Sequence, residues 1–288
     1  MSKDIWKFEE RYHEILTLIK QRSTALVLTV NNYKGGVGKS TLIVLFAYIF
    51  SKLKIKILLV DSDPQRTLTK KIQKNFPVIE QSKYTFMEGI KRNTLEQSIT
   101  KLGEYIYIVE GDWELSTLDR YSRENLKIEA EYYLYSFLID SLKAKFDLII
   151  FDAVPTTSIF THNCIVASDY VLAPTQAEEE SYDNTISYMN YLNSMKNYNQ
   201  SLDILGVVPY LSELDNATNI KYLKKYQHTF GKLTFQNIIK RSARVMSWGT
   251  DGITETKGYD KQTLSMYINV FKEFLERLEL VELEEHNG

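Results

Sequence analysis

Cysteine, proline and glycine are all scarce in this chain of 288 residues, which contains 1 Cys, 5 Pro and 12 Gly. The single cysteine, Cys164, excludes an intrachain disulfide framework, and no Cys/His spacing typical of a zinc site is present. A reducing, cytosolic compartment is therefore expected. Residues 1–14 lack the basic and then apolar pattern of a signal peptide. The longest apolar run, 42–50, is too short to span a bilayer.

A large charge of either sign is missing as well. The net charge is -2, so no global field draws the chain to DNA or to anionic membranes. Any contact with nucleic acid must come from a local patch. What the chain does contain is apolar sequence, since 44% of its residues are hydrophobic. That is enough for one large globular core, and no linker separates two domains.

Short apolar runs alternate with segments of helical spacing along the chain. Strands are predicted at 25–30, 56–60, 105–109, 146–151, 170–173, 204–208 and 235–239. Helices are predicted at 40–53, 125–143, 160–167, 182–197, 216–229 and 263–280. This order predicts one α/β domain over residues 25–288, with a mostly parallel twisted sheet, helices on both faces, and ligand bound at the carboxyl ends of the strands.

Residues 1–24 are predicted to form an N-terminal helical extension. Apolar side chains recur at helical spacing over 4–21, which is typical of an amphipathic helix. Its apolar face would pack on the core, on a second copy of the chain or, alternatively, on a partner protein.

A glycine-rich turn follows the first predicted strand and leads directly into a helix. Its sequence is Lys34-Gly-Gly-Val-Gly-Lys-Ser-Thr41. Glycines let the backbone curl so that its N–H groups point at phosphate oxygens, and the following helix adds the positive end of its dipole. In such a P-loop, Lys39 would neutralise the β- and γ-phosphates of ATP and Ser40 would ligate Mg²⁺. The residues of this loop expected to contact the nucleotide are Gly35, Gly36, Val37, Gly38, Lys39, Ser40 and Thr41.

Carboxylates stand at the ends of two further predicted strands. Asp61 and Asp63 follow the second strand, and two carboxylates near a phosphate site suit the handling of metal and water. The plainer alternative is an acidic turn that caps the next helix. Asp152 ends an apolar run in the Walker B arrangement, where it would hold Mg²⁺ through water.

Together these motifs resemble the deviant Walker A ATPases, the ParA/MinD/Soj family, whose loop has the sequence Lys-Gly-Gly-x-Gly-Lys-Thr/Ser. The resemblance implies a slow ATPase in which Lys34 is not a solvated surface lysine but crosses a dimer interface to the partner's nucleotide. It also implies that Asp63 orients the attacking water and that Asp61 lies near Mg²⁺. Farther along, Arg241-Ser-Ala-Arg244 is similar to the segment that lies near the nucleotide base in this family, so Arg241 is expected to contact the nucleotide. The chain departs from the family at 66–69, where Gly-Asn-x-Thr is usual.

Composition separates the members of this family. The nitrogenase iron protein and the arsenite pumps need more than the one cysteine present here. MinD needs a basic amphipathic helix at its C-terminus, whereas residues 272–285 contain six Glu. An acidic segment is repelled by anionic lipid, so no membrane partner is expected.

One local feature favours DNA partition. Residues 216–250 contain seven basic residues and no acidic one. Lys221, Lys224 and Lys225 have helical spacing and, with Lys240 and Arg244, are expected to contact DNA phosphates without sequence preference. An ordinary solvated helix face or a protein-binding surface would carry the same charges.

The resemblance then implies a mechanism. ATP would join two chains into a homodimer, which would bind nucleoid DNA non-specifically in the cytoplasm. A small centromere-binding partition protein would stimulate hydrolysis and so release the dimer. The alternative is a MinD-like or cargo-positioning ATPase that acts on protein or membrane. A small-molecule kinase is disfavoured because it would leave Lys34 without a role, and a scaffold that hardly hydrolyses is disfavoured by Asp63.

Overall fold

The computed structural model describes residues 5–287 and confirms an α/β fold built on one eight-stranded sheet. The strands are β1 (Leu26–Val30), β2 (Ile57–Asp61), β3 (Ile99–Lys101), β4 (Ile106–Val109), β5 (Leu148–Asp152), β6 (Tyr170–Gln176), β7 (Asp203–Ser212) and β8 (Ile239–Lys240). The helices are α1 (Glu10–Gln21), α2 (Lys39–Lys52), α3 (Thr67–Ile72), α4 (Phe86–Lys91), α5 (Leu118–Asn125), α6 (Ala130–Asp140), α7 (Ile159–Val166), α8 (Glu179–Met195), α9 (Ala217–Phe230), α10 (Ala243–Asp251) and α11 (Gly258–Asn287). Residues 1–4 and 288 of the predicted extension and domain lie outside the described residues.

The strand order is β3-β4-β2-β5-β1-β6-β7-β8, and each neighbouring pair is parallel except β3 with β4. The central strands β1, β2 and β5 are buried at every position, because helices cover both faces of the sheet. Their register aligns both Val30 and Asp61 with Asp152. The carboxyl ends of these three strands therefore meet at one point on the sheet edge.

Helix layers cover the two faces of the sheet because strand side chains alternate in direction. Along β1, Leu26 and Leu28 face a core shared with α2 and α11, whereas Val27 faces a core shared with α4 and α6. A third apolar cluster lies between β6, β7 and the helices α8 and α9. The predicted layer architecture is thus confirmed.

The N-terminal helix α1 packs on the core of the same chain. Its apolar residues Ile15, Leu16 and Ile19 are buried in the cluster that includes α2 and α11. Ion pairs line the contact with α11, where Arg11 Nη2 lies 2.6 Å from Glu279 and Lys272 Nζ lies 2.7 Å from Glu9. Glu276 also accepts a hydrogen bond from the Tyr12 hydroxyl at 2.6 Å, so Glu276 and Glu279 of the acidic segment at 272–285 both contact α1. The side chains of Glu284 and Glu285 lie outside the described residues.

Some predicted boundaries were wrong. The segment 125–143 contains not one helix but the end of α5 and all of α6, separated at 126–129. The segment 235–239 was predicted as a strand, yet the amides of Gln236 and Asn237 both donate to Glu273 at 2.8 Å instead of to β7. The helix predicted at 263–280 extends over Gly258–Asn287. The short elements α3, α4, β3 and α10 were not predicted, because each offers too few residues to show a period.

Candidate functional site

The turn between β1 and α2 has a left-handed backbone at two glycines. The φ angles are +77° at Gly36 and +92° at Gly38, values that residues other than glycine rarely adopt. At Gly38 space is a second constraint, since a Cβ there would lie 2.2 Å from Cε1 of Tyr210. The loop therefore packs directly against the end of β7.

Lys39, the first residue of α2, folds its side chain back into the loop. Its Nζ donates to the carbonyl oxygens of Asn32 and Lys34, at 3.3 Å in each case, and the residue is 9% exposed. Burial lowers the pKa of Lys39, and the carboxylates of Asp152 and Asp63 act in the opposite direction. The Lys39 ammonium is therefore a buried cation that donates to two backbone carbonyls, at the position where a P-loop binds phosphate.

Ser40 and Asp152 join the helix to the end of β5. The Oγ of Ser40 donates to Oδ2 of Asp152 at 2.5 Å. Burial, and then the charge of Asp61, raise the pKa of Asp152 to about 7. Within the described residues no group of three or more His, Cys, Asp or Glu side chains is arranged to hold a metal ion. A hydroxyl and one carboxylate nevertheless suit Mg²⁺, which usually takes its other ligands from phosphate and water.

Asp61 lies beside Asp152 but serves the neighbouring loop. Its Oδ2 accepts hydrogen bonds from the backbone N–H of Thr69 at 2.8 Å and from Oγ1 of Thr69 at 2.7 Å. The carboxyl is fully buried, and burial raises its pKa to about 6. This environment favours a structural role, fixing the start of α3, and metal binding by Asp61 stays a prediction.

A cavity of about 530 Å³ opens above these residues. It is lined by Gly35, Gly36, Gly38, Lys39, Ser40, Thr41, Asp63, Thr67, Lys71, Asp152, Ala153, Pro155, Tyr210, Leu211, Val245, Met246 and Gly249. The sequence predicted many of the residues at the P-loop end. Asp63 is half-buried on this wall, and its Oδ1 accepts the amide of Gln65 at 2.9 Å. Val37 is fully buried and is not part of the cavity lining, so its predicted contact with the nucleotide stays a prediction.

Part of the cavity wall is apolar. It is formed by Tyr210, Leu211, Val245 and Met246, and such surfaces suit the flat ring of a base. Arg241 lies outside this lining, on a separate depression, where its Nε is 2.6 Å from Glu213. A contact of Arg241 with the nucleotide base therefore stays a prediction.

Lys34 is held within its own chain. Its ammonium forms an ion pair with Glu180, at the start of α8, and lies 3.8 Å from Glu178. The Lys34 side chain is 22% exposed and that of Glu180 is 71% exposed. Lys34 therefore lies at the rim of the site rather than in the cavity.

The predicted basic segment is divided between two surfaces. Lys221, Lys224, Lys225 and His228 line a depression on α9, where Lys225 Nζ lies 5.2 Å from the ring centre of Tyr182. Lys221, Lys224 and Lys225 share one helix face, as predicted from their spacing.

The second surface lies around the start of α10. Lys240 is exposed there, whereas Arg244 is bound to the fully buried Asp260, with Nε and Oδ1 2.5 Å apart. Arg244 also donates to Thr254 at 2.5 Å and lies over the ring of Tyr259. The Arg244 guanidinium therefore stabilises the α10 region through contacts within the chain, and its predicted contact with DNA is not supported.

Sequence reasoning missed Lys71, Tyr210 and Met246 on the cavity wall. Lys71 follows another lysine on a short polar helix, which is typical of a solvated face. Tyr210 and Met246 belong to segments without a motif. Their positions depend on the packing of β7 and α10 against the P-loop, which no local pattern reveals.

Comparison with known proteins agrees with the geometry of the loop. A family model described as "AAA domain" matches residues 25–204. The sporulation initiation inhibitor protein Soj of Bacillus subtilis is 28% identical over 230 residues, which cover 76% of this chain and 85% of the relative.

Two solved structures share the fold. A plasmid partition protein of Borrelia burgdorferi, bound to AMPPNP, has a TM-score of 0.71 and 22% identity, covering 88% of this chain and 99% of its own. The ATP complex of a Cyanothece McdA variant has a TM-score of 0.76 and 20% identity, covering 88% and 97%. Between residues 5 and 287, no helix has both the length and the apolar character that crossing a bilayer requires.

Proposed function

This chain belongs to the AAA-domain family and is a P-loop NTPase of the ParA/Soj type, and from that premise we propose that it is an ATP-driven switch for DNA partition. ATP binding joins two chains, the dimer binds DNA without sequence preference, and hydrolysis releases it. The observation that carries the nucleotide part of the proposal is the contact of 2.5 Å between Ser40 and Asp152, beside the buried Lys39. The exposed lysines of α9 and the similarity to Soj support the DNA part.

The P-loop supplies the phosphate contacts. Gly35–Thr41 offers backbone N–H groups at the start of α2, and Lys39 offers the positive charge. Ser40 and Asp152 would hold Mg²⁺, which, when bound, neutralises charge on the phosphate oxygens. Asp63, on the cavity wall, orients the water whose oxygen attacks the γ-phosphorus as the bond to the β–γ bridging oxygen breaks.

Dimerisation uses Lys34. Its position at the rim of the cavity, in an ion pair with a mostly exposed glutamate, leaves the ammonium within reach of a second copy. In the dimer it would exchange Glu180 for the phosphates of the partner's nucleotide. ATP would therefore favour the dimer because Lys34 exchanges a weak, exposed ion pair for charge-assisted contacts with the more highly charged phosphates.

The DNA surface is the α9 face of Lys221, Lys224 and Lys225, with exposed Lys240 as a further contact. Lysines that neutralise phosphates release counterions, so binding weakens steeply with salt and carries no sequence information. In the cell the dimer would associate with the nucleoid. A small centromere-binding protein on the DNA cargo would stimulate hydrolysis.

The test is binding to a non-specific DNA duplex with ATP, ADP or no nucleotide, as a function of salt. We expect binding only with ATP, its loss in Lys34→Ala, and at least a tenfold loss in Lys224→Glu/Lys225→Glu. The slope of log K against log salt should fall by about 2.

The matched control is Lys83→Glu/Lys91→Glu. It reverses two exposed lysines near β3, at the opposite edge of the sheet from β8. If both double variants weaken binding equally, the α9 face is not the DNA surface. If ATP binds and DNA does not at any salt concentration, the partition role is wrong and a protein cargo or a membrane is the target.

A further inference from the structure

A second lysine in the cavity has no established role. Lys71, in α3, lies on the cavity wall and is half-buried. Its Nζ donates to Oγ1 of Thr41 at 2.8 Å. No carboxylate of the described residues forms an ion pair with it, and the one carboxylate that acts on it electrostatically, Asp152, is hydrogen-bonded to Ser40.

This environment is incomplete for a cation. The Thr41 hydroxyl supplies one neutral acceptor, whereas an ammonium has three donors. Burying an ammonium costs free energy unless an anion or water lies beside it. Burial lowers the pKa of Lys71 accordingly. A group with this deficit, on the wall of a phosphate-binding cavity, is suited to an anionic ligand.

The position of Lys71 is fixed by its neighbours. Thr69 anchors α3 through two hydrogen bonds to the buried Asp61, and Leu68 and Ile72 are fully buried. The side-chain amide of Asn75 donates to the Lys71 carbonyl oxygen at 2.9 Å. These contacts fix the backbone of α3, so that the Lys71 side chain lies at the cavity wall.

The adjacent lysine shows what an ordinary surface residue on this helix does. Lys70 is exposed, its Nζ donates to the carbonyl oxygen of Gln65 at 3.0 Å, and it does not form part of the cavity wall. Two neighbouring lysines of equal charge thus differ in burial and in access to the site. This difference provides a matched pair for experiment.

Thr41 indicates which part of a nucleotide Lys71 faces. It follows Ser40 in the first turn of α2, directly after the glycine-rich loop whose N–H groups cradle the α- and β-phosphates in P-loop proteins. Lys39, by contrast, serves the β–γ end. We propose that Lys71 is a third phosphate-binding lysine, that it contacts the α–β end of the nucleotide, and that it links α3 to nucleotide occupancy; this rests on the nucleotide binding in the proposed function.

The test measures dissociation constants of Mg·ADP and Mg·ATP by calorimetry for the wild type, Lys71→Ala, Lys71→Gln, Lys71→Arg and Lys70→Ala. We expect Lys71→Ala to weaken both nucleotides by the same factor, about tenfold to a hundredfold, the range of a charged hydrogen bond. Lys71→Arg should retain part of the affinity, and Lys70→Ala should match the wild type.

Lys71→Gln can still donate to Thr41 but has no charge, so it separates nucleotide binding from a local structural role. If it binds nucleotide like the wild type, or if Lys71→Ala does, the proposal is wrong. A loss for ATP without a loss for ADP would overturn the assignment to the α–β end. Failure of the wild type to bind either nucleotide would instead refute the proposed function itself.

Discussion

Neutralising Glu180 should make nucleotide-dependent dimerisation easier. In the single chain the ammonium of Lys34 is paired with Glu180, with Glu178 3.8 Å away, and this pair must break before Lys34 can reach a second copy. Because Glu180 is 71% exposed, the pair stabilises the free chain by only about 0.2–1 kcal/mol. Two such pairs break per dimer, so Glu180→Gln should tighten the dimer by about 0.4–2 kcal/mol, roughly twofold to thirtyfold in dissociation constant.

Sedimentation velocity in Mg²⁺ and a non-hydrolysable ATP analogue would measure this shift over a range of protein concentrations. Asp183→Asn is the control, since it removes an exposed negative charge from the same helix. Lys34→Ala should abolish the nucleotide-dependent dimer. If Glu180→Gln leaves dimerisation unchanged or weakens it while Lys34→Ala abolishes it, then Glu180 does not compete for Lys34 and the reasoning fails.

Two further predictions concern stability. The pKa of Asp152 is raised to about 7, so the folded chain binds a proton that the unfolded chain releases near pH 4. Without nucleotide, the wild type should therefore lose about 3 kcal/mol of unfolding free energy relative to Asp152→Asn as pH rises from 4 to 7. Urea-denaturation experiments in which the unfolding free energies of the two proteins change in parallel over this pH range would contradict the prediction. Leu16→Ala should lower the unfolding free energy by about 2–4 kcal/mol because Leu16 is buried under α11. Leu18→Ala, at a position 57% exposed on the same helix, should change it by less than about 0.5 kcal/mol; equal effects would show that α1 is not part of the core.

The sheet and the P-loop were predictable because their signals are local. The run from β1 through the loop to α2 and β2 is contiguous in sequence, and each part shows its own pattern of apolar residues or glycines. The register that aligns Asp61 with Asp152 follows once β2 and β5 are neighbours in a parallel sheet. Short polar elements such as α3 carry no comparable period, and so Lys71 had no visible relation to the site.

Long-range charge pairing could not be predicted. Lys34 and Glu180 are 146 positions apart, and nothing in either segment identifies the partner. The same holds for Arg11 with Glu279, separated by 268 positions, which makes an apparently acidic C-terminal segment part of an internal contact. A count of charges along the sequence treats all of these side chains as unpaired, whereas in the folded chain they form ion pairs with one another.

The limits of prediction follow the chain itself. The family model covers residues 25–204. This range includes the P-loop, Asp63 and Asp152, but neither the apolar part of the cavity wall nor the basic helix α9. After residue 204, positive charge is the main sequence feature that indicates a binding target. That feature is ambiguous, because the basic residues lie in different environments in the folded chain. Arg244 is bound to a buried carboxylate, Arg241 is paired with Glu213, and Lys224 and Lys225 line an open surface. The nucleotide site is therefore encoded in motifs, whereas the target of the proposed switch depends on which charged side chains remain unpaired after folding.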